Sequence, residues 1–488
     1  MSGQTTAIRN ADYIVAWDAA LGSHVYLRHQ DVVFRGDSFL ALGGRFDGAV
    51  DREIDGRNLM VMPGLVNIHS HPSSEPGNKG LLDDVGSPRL GQSNLYDIMK
   101  AFSIPSAFAP AARNVAIAEA LRSGVTTFTD WSSATENWIE EFVATGIRPV
   151  FCPRFHSATW FTEDGHNVGY TWDEDKGRRD FARAREVVEA ALSHPSGTCW
   201  AMLGPSQIDT CSESLLRDSH AYAAEAGLPW QLHTAQSFVE FTEITRRTGL
   251  TPVAWLSSIG VLTEGSILGH GIFLNDHPKI HYPQADDFEV LKVSGAAVAH
   301  CPVNFMRRGI ALNTLARYMD SGITVGLGTD TYPHNMIDEM KAASLAGRIL
   351  QCRYDAGSTR HAFTAATIGG ARALLREDLG RIAVGAKADF SLVDLDNAYM
   401  QPLRDPLKNL ITVASDRVVR DVYVNGRQVV ANGEVLTIDL PANLALLAEA
   451  QAQMMAAVPK KDWGGRSLDE ISPMSFPLVE SVGAAAAE

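Results

Sequence analysis

Eight short apolar segments, separated by longer stretches rich in Ala, Leu, Arg and Glu, recur between residues 60 and 330 of the 488-residue chain. This alternation constrains the fold most strongly, because eight successive strand-helix units are typical of an α/β chain closed into a (β/α)8 TIM-like barrel. Strands are predicted at residues 60–68, 124–130, 148–155, 199–205, 229–233, 266–271, 296–301 and 324–330. Helices are predicted at residues 113–124, 179–194, 213–227 and 336–350.

The two ends of the chain predict a second, smaller unit. Residues 13–55 and 388–439 contain short β-like runs broken by Gly, Asp and Asn, and Asn425-Gly426 has the composition of a tight hairpin turn. We therefore expect a small composite β-sandwich built from both chain ends, with the barrel inserted between them. The predicted boundaries are 1–59 and 381–440 for the two parts of the sandwich, 60–380 for the barrel, and 441–488 for a C-terminal helix, at 443–458, and tail.

Charge and cysteine content exclude several classes of partner. The 42 Lys and Arg residues are outnumbered by 57 Asp and Glu residues, which leaves a net charge of −15 and no basic block for nucleic acid or an anionic membrane. The five cysteines are odd in number and never form a CxxC pair, so neither a disulfide framework nor a cysteine zinc site is expected. No secretion signal pattern and no run of eighteen apolar residues occurs. We expect a cytoplasmic protein that acts on a small molecule, without nucleic-acid or membrane partners.

Ionisable side chains are concentrated at the carboxyl ends of the predicted strands. His69 and His71 end the first strand, and residues two apart in an extended chain face the same side. His233, His270 and Asp330 lie at the fifth, sixth and eighth strands. Alone, each residue also has a structural interpretation, such as a helix cap for Asp330. Because the carboxyl ends of barrel strands meet at one mouth, their joint occurrence favours a metal site of three imidazoles and one carboxylate, with a position left for water.

Five segments carry a resemblance to known proteins. They are VMPGLVNIHSHP (61–72), QLHTAQ (231–236), GHGIFLND (269–276), AHCPVN (299–304) and GLGTDT (326–331). In this order they resemble the successive strand motifs of the amidohydrolase superfamily. The branch they resemble contains the cytosine, guanine and adenosylhomocysteine deaminases and the triazine hydrolases of the atrazine chlorohydrolase type. Residues 366–396 and 418–435 likewise resemble its closing helix and composite β-sandwich.

The resemblance implies a mononuclear metal site. His69, His71, His233 and Asp330 would bind one divalent ion, zinc being expected and iron, cobalt or manganese being alternatives. As catalytic residues, Asp330 would accept a proton and His270 would contact the nucleophilic water or the substrate. The fourth strand has no Lys, so the carboxylated lysine that bridges two metals in other branches has no candidate. Members of the branch also imply a homodimer or homotetramer.

The chain departs from the family pattern where the substrate is expected. Gln236 stands three residues after His233, where the family usually has a proton-shuttling Glu, and an amide cannot act as general acid or base near neutral pH. Phe273 and Ser206 occupy positions where many relatives have His. Glu240 and Glu243 follow on the next predicted helix, and we expect these charges to face solvent rather than to fold back and replace the missing Glu.

Several further residues are candidates for substrate contacts. His281 lies in an extended loop after the sixth strand, and His334, a candidate proton donor, follows Asp330 closely; a surface position and a helix entry are the respective alternatives. Trp131 belongs to a group of aromatic residues that predicts either core or a pocket lining. Arg307 and Arg308 predict either a carboxylate-binding pair or solvated loop charges. The predicted substrate-binding set is Gln236, His270, His281, Asn304, His334 and Trp131.

Three functions follow from these observations. The first is a metal-dependent hydrolase that opens a non-peptide C–N bond of an amide, urea, carbamate or amino-heterocycle. The second is a hydrolytic deaminase or dechlorinase of a nitrogen heteroaromatic, which the resemblance favours and Gln236 weakens. The third is a catalytically silent relative that serves in binding or assembly, against which the complete predicted ligand set argues.

Overall fold

The computed structural model describes residues 3–479 of the chain. The strands are β1 (Thr5–Ala11), β2 (Tyr13–Asp18), β3 (Ser23–Leu27), β4 (Gln30–Arg35), β5 (Ser38–Leu42), β6 (Arg52–Asp55), β7 (Leu59–Pro63), β8 (Leu65–Asn67), β9 (Val125–Ser132), β10 (Arg148–Phe155), β11 (Ala158–Phe161), β12 (Gly169–Trp172), β13 (Trp200–Ala201), β14 (Gly204–Pro205), β15 (Trp230–Thr234), β16 (Ser266–His270), β17 (Ala297–His300), β18 (Val325–Leu327), β19 (Phe390–Asp394), β20 (Val419–Val424), β21 (Arg427–Ala431) and β22 (Glu434–Val435). The α-helices are α1 (Ala109–Arg122), α2 (Trp138–Ala144), α3 (Glu174–Leu192), α4 (Glu213–Ala226), α5 (Phe238–Thr248), α6 (Pro252–Ser258), α7 (Asp287–Ser294), α8 (Pro302–Met306), α9 (Leu315–Asp320), α10 (Met336–Gln351), α11 (Thr359–Thr364), α12 (Gly370–Ala373), α13 (Pro406–Asn409), α14 (Leu440–Lys461) and α15 (Leu468–Ile471).

Parallel strands surround the centre of the molecule. One sheet has the order β13-β10-β9-β8, with β14 also paired to β10, and a second has the order β15-β16-β17-β18. The two sheets meet where Leu203 pairs in parallel with Trp230. On the opposite side, the Ile68 N–H donates a hydrogen bond to the Leu327 carbonyl oxygen at 3.1 Å. The fold is therefore α/β and of the TIM-barrel type, and all eight predicted strand segments contribute to it.

The predicted strand at residues 60–68 is wrong in one respect, since it is two strands in two different sheets. β7 pairs antiparallel with β19, whereas β8 pairs in parallel with β9. Gly64 separates them, and a Cβ atom at this residue would lie 2.0 Å from Oγ1 of Thr126. The apolar pattern runs through both strands because both are buried, so periodicity alone could not reveal the change of sheet.

Strands from both chain ends share one sheet beside the parallel strands. Its order is β22-β21-β20-β19-β7-β2-β3, and a separate four-stranded sheet has the order β5-β4-β1-β6. A single hydrophobic cluster contains residues of both sheets, including Phe34 of β4 and the stacked pair Phe390 and Tyr423. The predicted hairpin turn is confirmed, because Asn425 and Gly426 both adopt positive φ and connect β20 to β21.

The predicted helices are confirmed as α1, α3, α4, α10 and α14. Side-chain caps fix several of their first turns: Asp173 accepts the Lys176 N–H at 2.8 Å, and Asn335 accepts the Ile337 N–H at 3.0 Å. No helix within residues 3–479 is both long enough and apolar enough to span a lipid bilayer.

Two connections over the carboxyl ends of the parallel strands were not predicted as structured elements. β11 and β12 form an antiparallel hairpin after β10, and the long segment between β8 and α1 contains short 3-10 turns. They meet at Asp209, whose carboxylate accepts hydrogen bonds from the Tyr170 hydroxyl at 2.8 Å and the Tyr96 hydroxyl at 3.4 Å. This contact brings loops that are distant in sequence to the same end of the molecule as the predicted site residues.

Candidate metal centre

The backbone at the ends of β8 and β18 brings the first ligand candidates together. Ser70 pairs in parallel with Asp330, the Asp330 N–H donates to the His69 carbonyl oxygen at 2.9 Å, and the His71 N–H donates to the Asp330 carbonyl oxygen at 2.9 Å. Asp330 adopts the left-handed conformation, with φ of 57°. The turn after β18 thus directs the Asp330 side chain toward the histidines of the first strand.

Four side chains form a compact donor set. One ligand atom from each of His69, His71, His233 and Asp330 lies within 4.8 Å of the others. Nε2 of His69 and Nε2 of His71 are each 3.3 Å from Oδ1 of Asp330. Nε2 of His71 is also 3.3 Å from Nε2 of His233. Three imidazole nitrogens and a carboxylate at this spacing suit a divalent transition metal.

The outer nitrogen of each imidazole is held by an oxygen. Nδ1 of His69 lies 2.7 Å from Oε1 of Gln231, whose own Nε2 donates to the Ile68 carbonyl oxygen at 3.0 Å. Nδ1 of His71 lies 2.9 Å from the carbonyl oxygen of Trp131. An oxygen accepts only from a protonated nitrogen, so these contacts place the hydrogen on Nδ1 and leave the Nε2 lone pair free.

His233 has the same arrangement, and one unsatisfied atom supports the fit to a metal. Nδ1 of His233 lies 2.5 Å from the carbonyl oxygen of Ser206. Nε2 of His69 is buried and, although it lies 3.3 Å from Oδ1 of Asp330, it makes no hydrogen bond within the described residues. A buried ring nitrogen is normally paired, and a metal ion bound by this donor set would supply the missing partner.

Burial and neighbouring charge set the protonation of His233 and Asp330. Burial lowers the pKa of His233 well below its usual value, and the neighbouring imidazoles of His69 and His71 lower it further. Burial alone would raise the pKa of Asp330, but the imidazoles of His270, His69 and His71 outweigh it and hold this pKa well below its usual value. A neutral imidazole and an ionised carboxylate are the forms that bind metals.

His270 and Asn304 lie against Asp330. Nε2 of His270 is 3.7 Å from Oδ2 of Asp330, and its ring is 4.6 Å from that of His69 between centroids. The Asn304 side-chain amide donates a hydrogen bond to the same Oδ2 atom. Oδ1 of Asn304 accepts from Nη1 of Arg308 at 2.5 Å. Arg308 is thus linked to the site through Asn304 instead of being a solvated loop charge.

Gln236 follows β15 three residues after His233, and Glu240 is not where the sequence indicates. Gln236 is only 8% exposed. Glu240 is fully buried, and its carboxylate accepts hydrogen bonds from the N–H groups of Ala235, at 2.5 Å, and Gln236, at 3.5 Å. Burial raises the pKa of Glu240 well above its usual value, and the charge of Asp209 adds to this. The expectation that Glu240 faces solvent is therefore wrong. The side chain of Glu243 is 13% exposed and pairs with Arg246 and Arg247.

Two other predicted substrate residues are not members of the four-residue donor set. His281 is exposed in the loop after β16. His334 is fully buried, with Nδ1 2.8 Å from Oγ1 of Thr329 and its ring edge-on to Phe128. These positions do not indicate a substrate contact for either residue. The loop holds His281 at the surface, and the turn that leads into α10 places His334 in the core.

Trp131 lies beneath the histidines. Its side chain is 1% exposed and stacks on the ring of His233 with centroids 4.1 Å apart. The sequence allowed either a core position or a pocket lining for this aromatic residue near the end of β9. In the structure, the metal-ligand candidates themselves cover its ring.

Sequence reasoning missed two residues that touch the ligands. Gln231 precedes His233 by two residues on β15, so strand alternation places both on the same face, which is a signal that could have identified it. Glu75 is buried beside His71, since its N–H donates to the His71 carbonyl oxygen at 3.2 Å. Only the folded loop reveals this second contact.

Comparison with known proteins gives a match over most of the chain. The sequence model of the amidohydrolase family matches residues 60–429. The chain is also 28% identical over 408 residues to the 5-methylthioadenosine/S-adenosylhomocysteine deaminase of Natronomonas pharaonis, covering 83% of this chain and 88% of that protein.

Two solved structures have a similar fold. Triazine hydrolase from Arthrobacter aurescens superposes with a TM-score of 0.77 at 22% identity and covers 92% of this chain and 99% of its own. An adenosine deaminase from Xanthomonas campestris with bound zinc gives a TM-score of 0.76 at 22% identity and covers 92% of this chain and 98% of its own. At these identities the similarity establishes the fold, and the activity has to be argued from the site.

Proposed function

The chain belongs to the amidohydrolase family, as its strand motifs predicted, and on this premise we propose that it is a mononuclear metal-dependent hydrolase of a small nitrogen-containing compound. The bond cleaved is a non-peptide C–N bond, in an amide, urea, carbamate or amino-heterocycle. One observation carries the proposal: the ligand atoms of His69, His71, His233 and Asp330 lie within 4.8 Å of one another. In all three imidazoles an oxygen fixes the Nδ1 atom, and a set of side chains held together only for packing would not need this arrangement.

The roles of the site residues follow from their positions. A divalent ion, zinc in this proposal, would supply Lewis acidity that lowers the pKa of a water molecule to about 7. Asp330 takes the proton from the attacking water on Oδ2: Oδ1 faces the imidazoles, and Oδ2 keeps a second lone pair beside the hydrogen bond it accepts from Asn304. His270, whose Nε2 is 3.7 Å from that Oδ2, contacts the water or the substrate and completes the pair of catalytic residues.

We propose that side-chain amides, and not acidic side chains, serve substrate recognition. We place Gln236, which follows His233 by three residues, among the substrate-binding residues: its amide can orient a substrate or donate a hydrogen bond, but it cannot supply a proton. Asn304 acts on the substrate indirectly, since both ends of its side-chain amide are already paired. Hydrolysis at an sp² carbon whose leaving group needs no ring protonation is the chemistry most compatible with this set.

A hydrolytic deaminase or dechlorinase of a nitrogen heteroaromatic is the second candidate. The names of the similar proteins favour it, because they are deaminases of adenosine-type compounds and a triazine hydrolase. Gln236 argues against ordinary deamination, since positioned proton transfer is typically worth about 10²- to 10⁴-fold in rate. The products separate the two candidates: ammonia or chloride leaves a ring in one case, and an amine and an acid form in the other.

The architecture and assembly are proposed in the same way. We assign the parallel strands and their helices to a (β/α)8 barrel at residues 60–380, and the flanking sheets to a composite β-sandwich from residues 1–59 and 381–440. The sheet shared by β2, β7, β19 and β20 supports the composite unit and indicates that the change of unit falls near residue 64. We propose a homodimer or homotetramer in the cytoplasm, where five free cysteines would remain reduced.

Metal analysis paired with a substrate panel tests the proposal. The purified protein is expected to hold about one equivalent of zinc or another transition metal per subunit by plasma mass spectrometry, and to lose turnover on chelation. The panel contains anilides, ureas, carbamates, adenosine-type nucleosides, and amino- and chlorotriazines, with ammonia, chloride and free amine measured separately.

The outcomes are distinct. Turnover with release of amine and acid supports the first candidate, and release of ammonia or chloride from a ring supports the second. Absence of metal that reconstitution does not restore would overturn both and leave a catalytically silent binding protein.

A further inference from the structure

Trp131, at the end region of β9, contacts all three imidazoles of the donor set. Its ring stacks on that of His233, with centroids 4.1 Å apart and planes at 28°. It meets the ring of His69 edge-on at 5.2 Å and lies tilted against the ring of His71 at 5.9 Å. Aromatic rings at these separations prefer offset-stacked and edge-to-face orientations, and the three contacts are of these kinds or close to them.

The backbone of the same residue is tied to the first strand. The Trp131 carbonyl oxygen accepts the Nδ1 hydrogen of His71 at 2.9 Å. The Trp131 N–H donates to the Ser70 carbonyl oxygen at 3.0 Å. The indole and the backbone thus act on different histidines from one fixed point on β9.

The indole has room because of Gly204 on β14, a strand segment that pairs with the other side of β10. A Cβ atom at Gly204 would lie 2.9 Å from Nε1 of Trp131 and 2.5 Å from Sγ of Cys152. Both distances are too short for ordinary packing, so a side chain at residue 204 would displace the ring. The pairing of Trp131 with Gly204 indicates that the ring must lie in this place, directly under the ligand imidazoles.

We propose that Trp131 is a positioning residue that holds the imidazoles of His69, His71 and His233 in the orientation required for metal binding. The proposal rests on the metal site of the proposed function, and it differs from a substrate contact because the indole is 1% exposed. Fixed ring orientation raises metal affinity because less freedom is lost on binding, and removing such outer contacts typically weakens affinity or activity about 10- to 100-fold.

Metal affinity, measured independently of turnover, tests the proposal. Trp131→Phe and Trp131→Leu are titrated with Zn²⁺ against a chromophoric chelator and with Co²⁺, whose visible absorption reports ligand geometry. We expect about 10- to 100-fold weaker binding and an altered Co²⁺ spectrum for the Leu variant, and a smaller loss for the Phe variant, which retains a stacking ring. Gly204→Ala, which removes no contact group, should also weaken binding by displacing the indole.

Trp230→Leu is the matched control. Trp230 is also 1% exposed and lies on β15, but its Nε1 donates to Oγ of Ser219 at 2.9 Å and its ring pairs with His220 instead of a ligand candidate. This control should bind Zn²⁺ and Co²⁺ as the unchanged protein does. Far-UV circular dichroism and thermal unfolding of the metal-free proteins establish that each variant is folded; if the Leu variant is not, the Phe and Gly204→Ala variants carry the test.

The outcomes separate this inference from the proposed function. Wild-type affinity and an unchanged Co²⁺ spectrum in the folded Trp131 variants would overturn it, as would a loss no greater than that in Trp230→Leu. A raised KM with unchanged metal affinity would also overturn it and identify Trp131 as a substrate contact. If the unchanged protein binds no metal, the proposed function itself fails.

Discussion

The imidazoles of the metal centre each depend on an oxygen from another part of the chain. His69 is held by Oε1 of Gln231 on β15, and His71 by the carbonyl oxygen of Trp131 on β9. His233 is held by the carbonyl oxygen of Ser206, after β14. Since these acceptors fix the tautomer, the three Nε2 atoms can point at one position without side-chain rearrangement.

Replacing a ligand should remove the metal. His69→Ala deletes a fully buried imidazole and Asp330→Asn replaces the carboxylate, so we expect both variants to lose bound metal and turnover. Plasma mass spectrometry of the purified variants measures the metal. His220→Ala, which removes an imidazole 3.0 Å from Oγ1 of Thr263 and outside the donor set, should keep it. Full metal stoichiometry in both ligand variants would refute the site.

Gln236 decides how far the chain resembles a deaminase. If it marks a lost proton shuttle, Gln236→Glu should raise deaminase activity on amino-heteroaromatics, by about 10²-fold at the lower end of general acid-base contributions. Ammonia release measures the gain, and Gln236→Ala is the control that removes the amide without adding an acid. Lower activity of the Glu variant on every compound tested would instead mean that the amide has its own substrate role.

The clustering of the candidate ligands could be predicted from the sequence, but the protonation and burial of their neighbours could not. Strand alternation and strand ends suffice to bring His69, His71 and His233 together. Glu240, by contrast, lies at a helix position that suggests solvent. It is buried because two N–H groups, at Ala235 and Gln236, require an acceptor there, and Ala235 adopts a left-handed conformation with φ of 55°. No local pattern encodes that turn.

At the scale of elements, local sequence again does not show the tertiary arrangement where two strands share one apolar run. β10 has the predicted bounds, whereas the predicted strand at 60–68 crosses from one sheet to another at Gly64. The hairpin of β11 and β12 was missed because its segments are short and partly exposed. Burial on both faces removes the period-two signal that marks a strand, so sheet membership is a tertiary property.

The junction between the loop after β16 and α7 has an unusual carboxylate. Asp287 begins α7, and its carboxylate accepts the Asn275 N–H at 2.8 Å while its own N–H donates to Oδ1 of Asn275 at 2.9 Å. The Thr251 hydroxyl donates to the same carboxylate. These bonds close the loop at residues 276–286, which carries His277 and His281.

Asp287 should make stability depend on pH. Burial raises the pKa of Asp287 to about 6, and the charges of Asp276 and Asp286 act in the same direction, against about 4 in an unfolded chain. Between these values the folded protein binds more protons than the unfolded chain, so this group lowers the free energy of unfolding as pH rises from about 4 to 6. Asp287→Asn cannot ionise, and the decrease over this range should be smaller by roughly 3 kcal/mol.

Urea unfolding at intervals between pH 4 and pH 7 measures this difference. Asp286→Asn is the matched control, because Asp286 is exposed and Asn can replace it as the helix cap that accepts the Glu289 N–H. Its pH dependence should stay much closer to that of the unchanged protein, because the charge of Asp286 contributes less to the pKa of Asp287 than burial does. Equal slopes for Asp287→Asn and the unchanged protein would show that Asp287 ionises normally.

At the scale of the whole molecule, the C-terminal segment fastens the long loop after β8. Nε2 of Gln451 donates to the Gly77 and Lys79 carbonyl oxygens at 2.8 and 2.9 Å, and Arg466 pairs with Asp97 at 2.8 Å. A separate hydrophobic cluster joins Met454 to this loop. Residues more than 350 positions apart in sequence are thus packed into one unit. The sequence predicted a C-terminal packing helix and a tail, but not the loop against which they pack.

The same loop reaches the metal centre through a chain of polar contacts. Oδ1 of Asn94 accepts from Nε of Arg308 at 3.1 Å, and Nη1 of Arg308 donates to Oδ1 of Asn304 at 2.5 Å. Asn304 in turn donates to Asp330. Loosening the loop should therefore alter how Asp330 is oriented without removing any metal ligand.

Met454→Ala tests this connection. Met454 is 1% exposed in the cluster with Leu82, Ile98 and Phe102, and truncation of such a side chain to Ala typically costs about 2–5 kcal/mol. We expect faster amide hydrogen exchange across residues 75–104, and kcat/KM lower by about 2- to 30-fold, the range of coupling energies carried through packed contacts. Bound metal should remain at the wild-type level because every ligand is retained.

Met474→Ala, at a residue 65% exposed in the same C-terminal segment, should change none of these quantities. Faster exchange with unchanged kcat/KM would mean that the loop does not act on Asp330, and loss of metal would mean that it acts on the histidines instead.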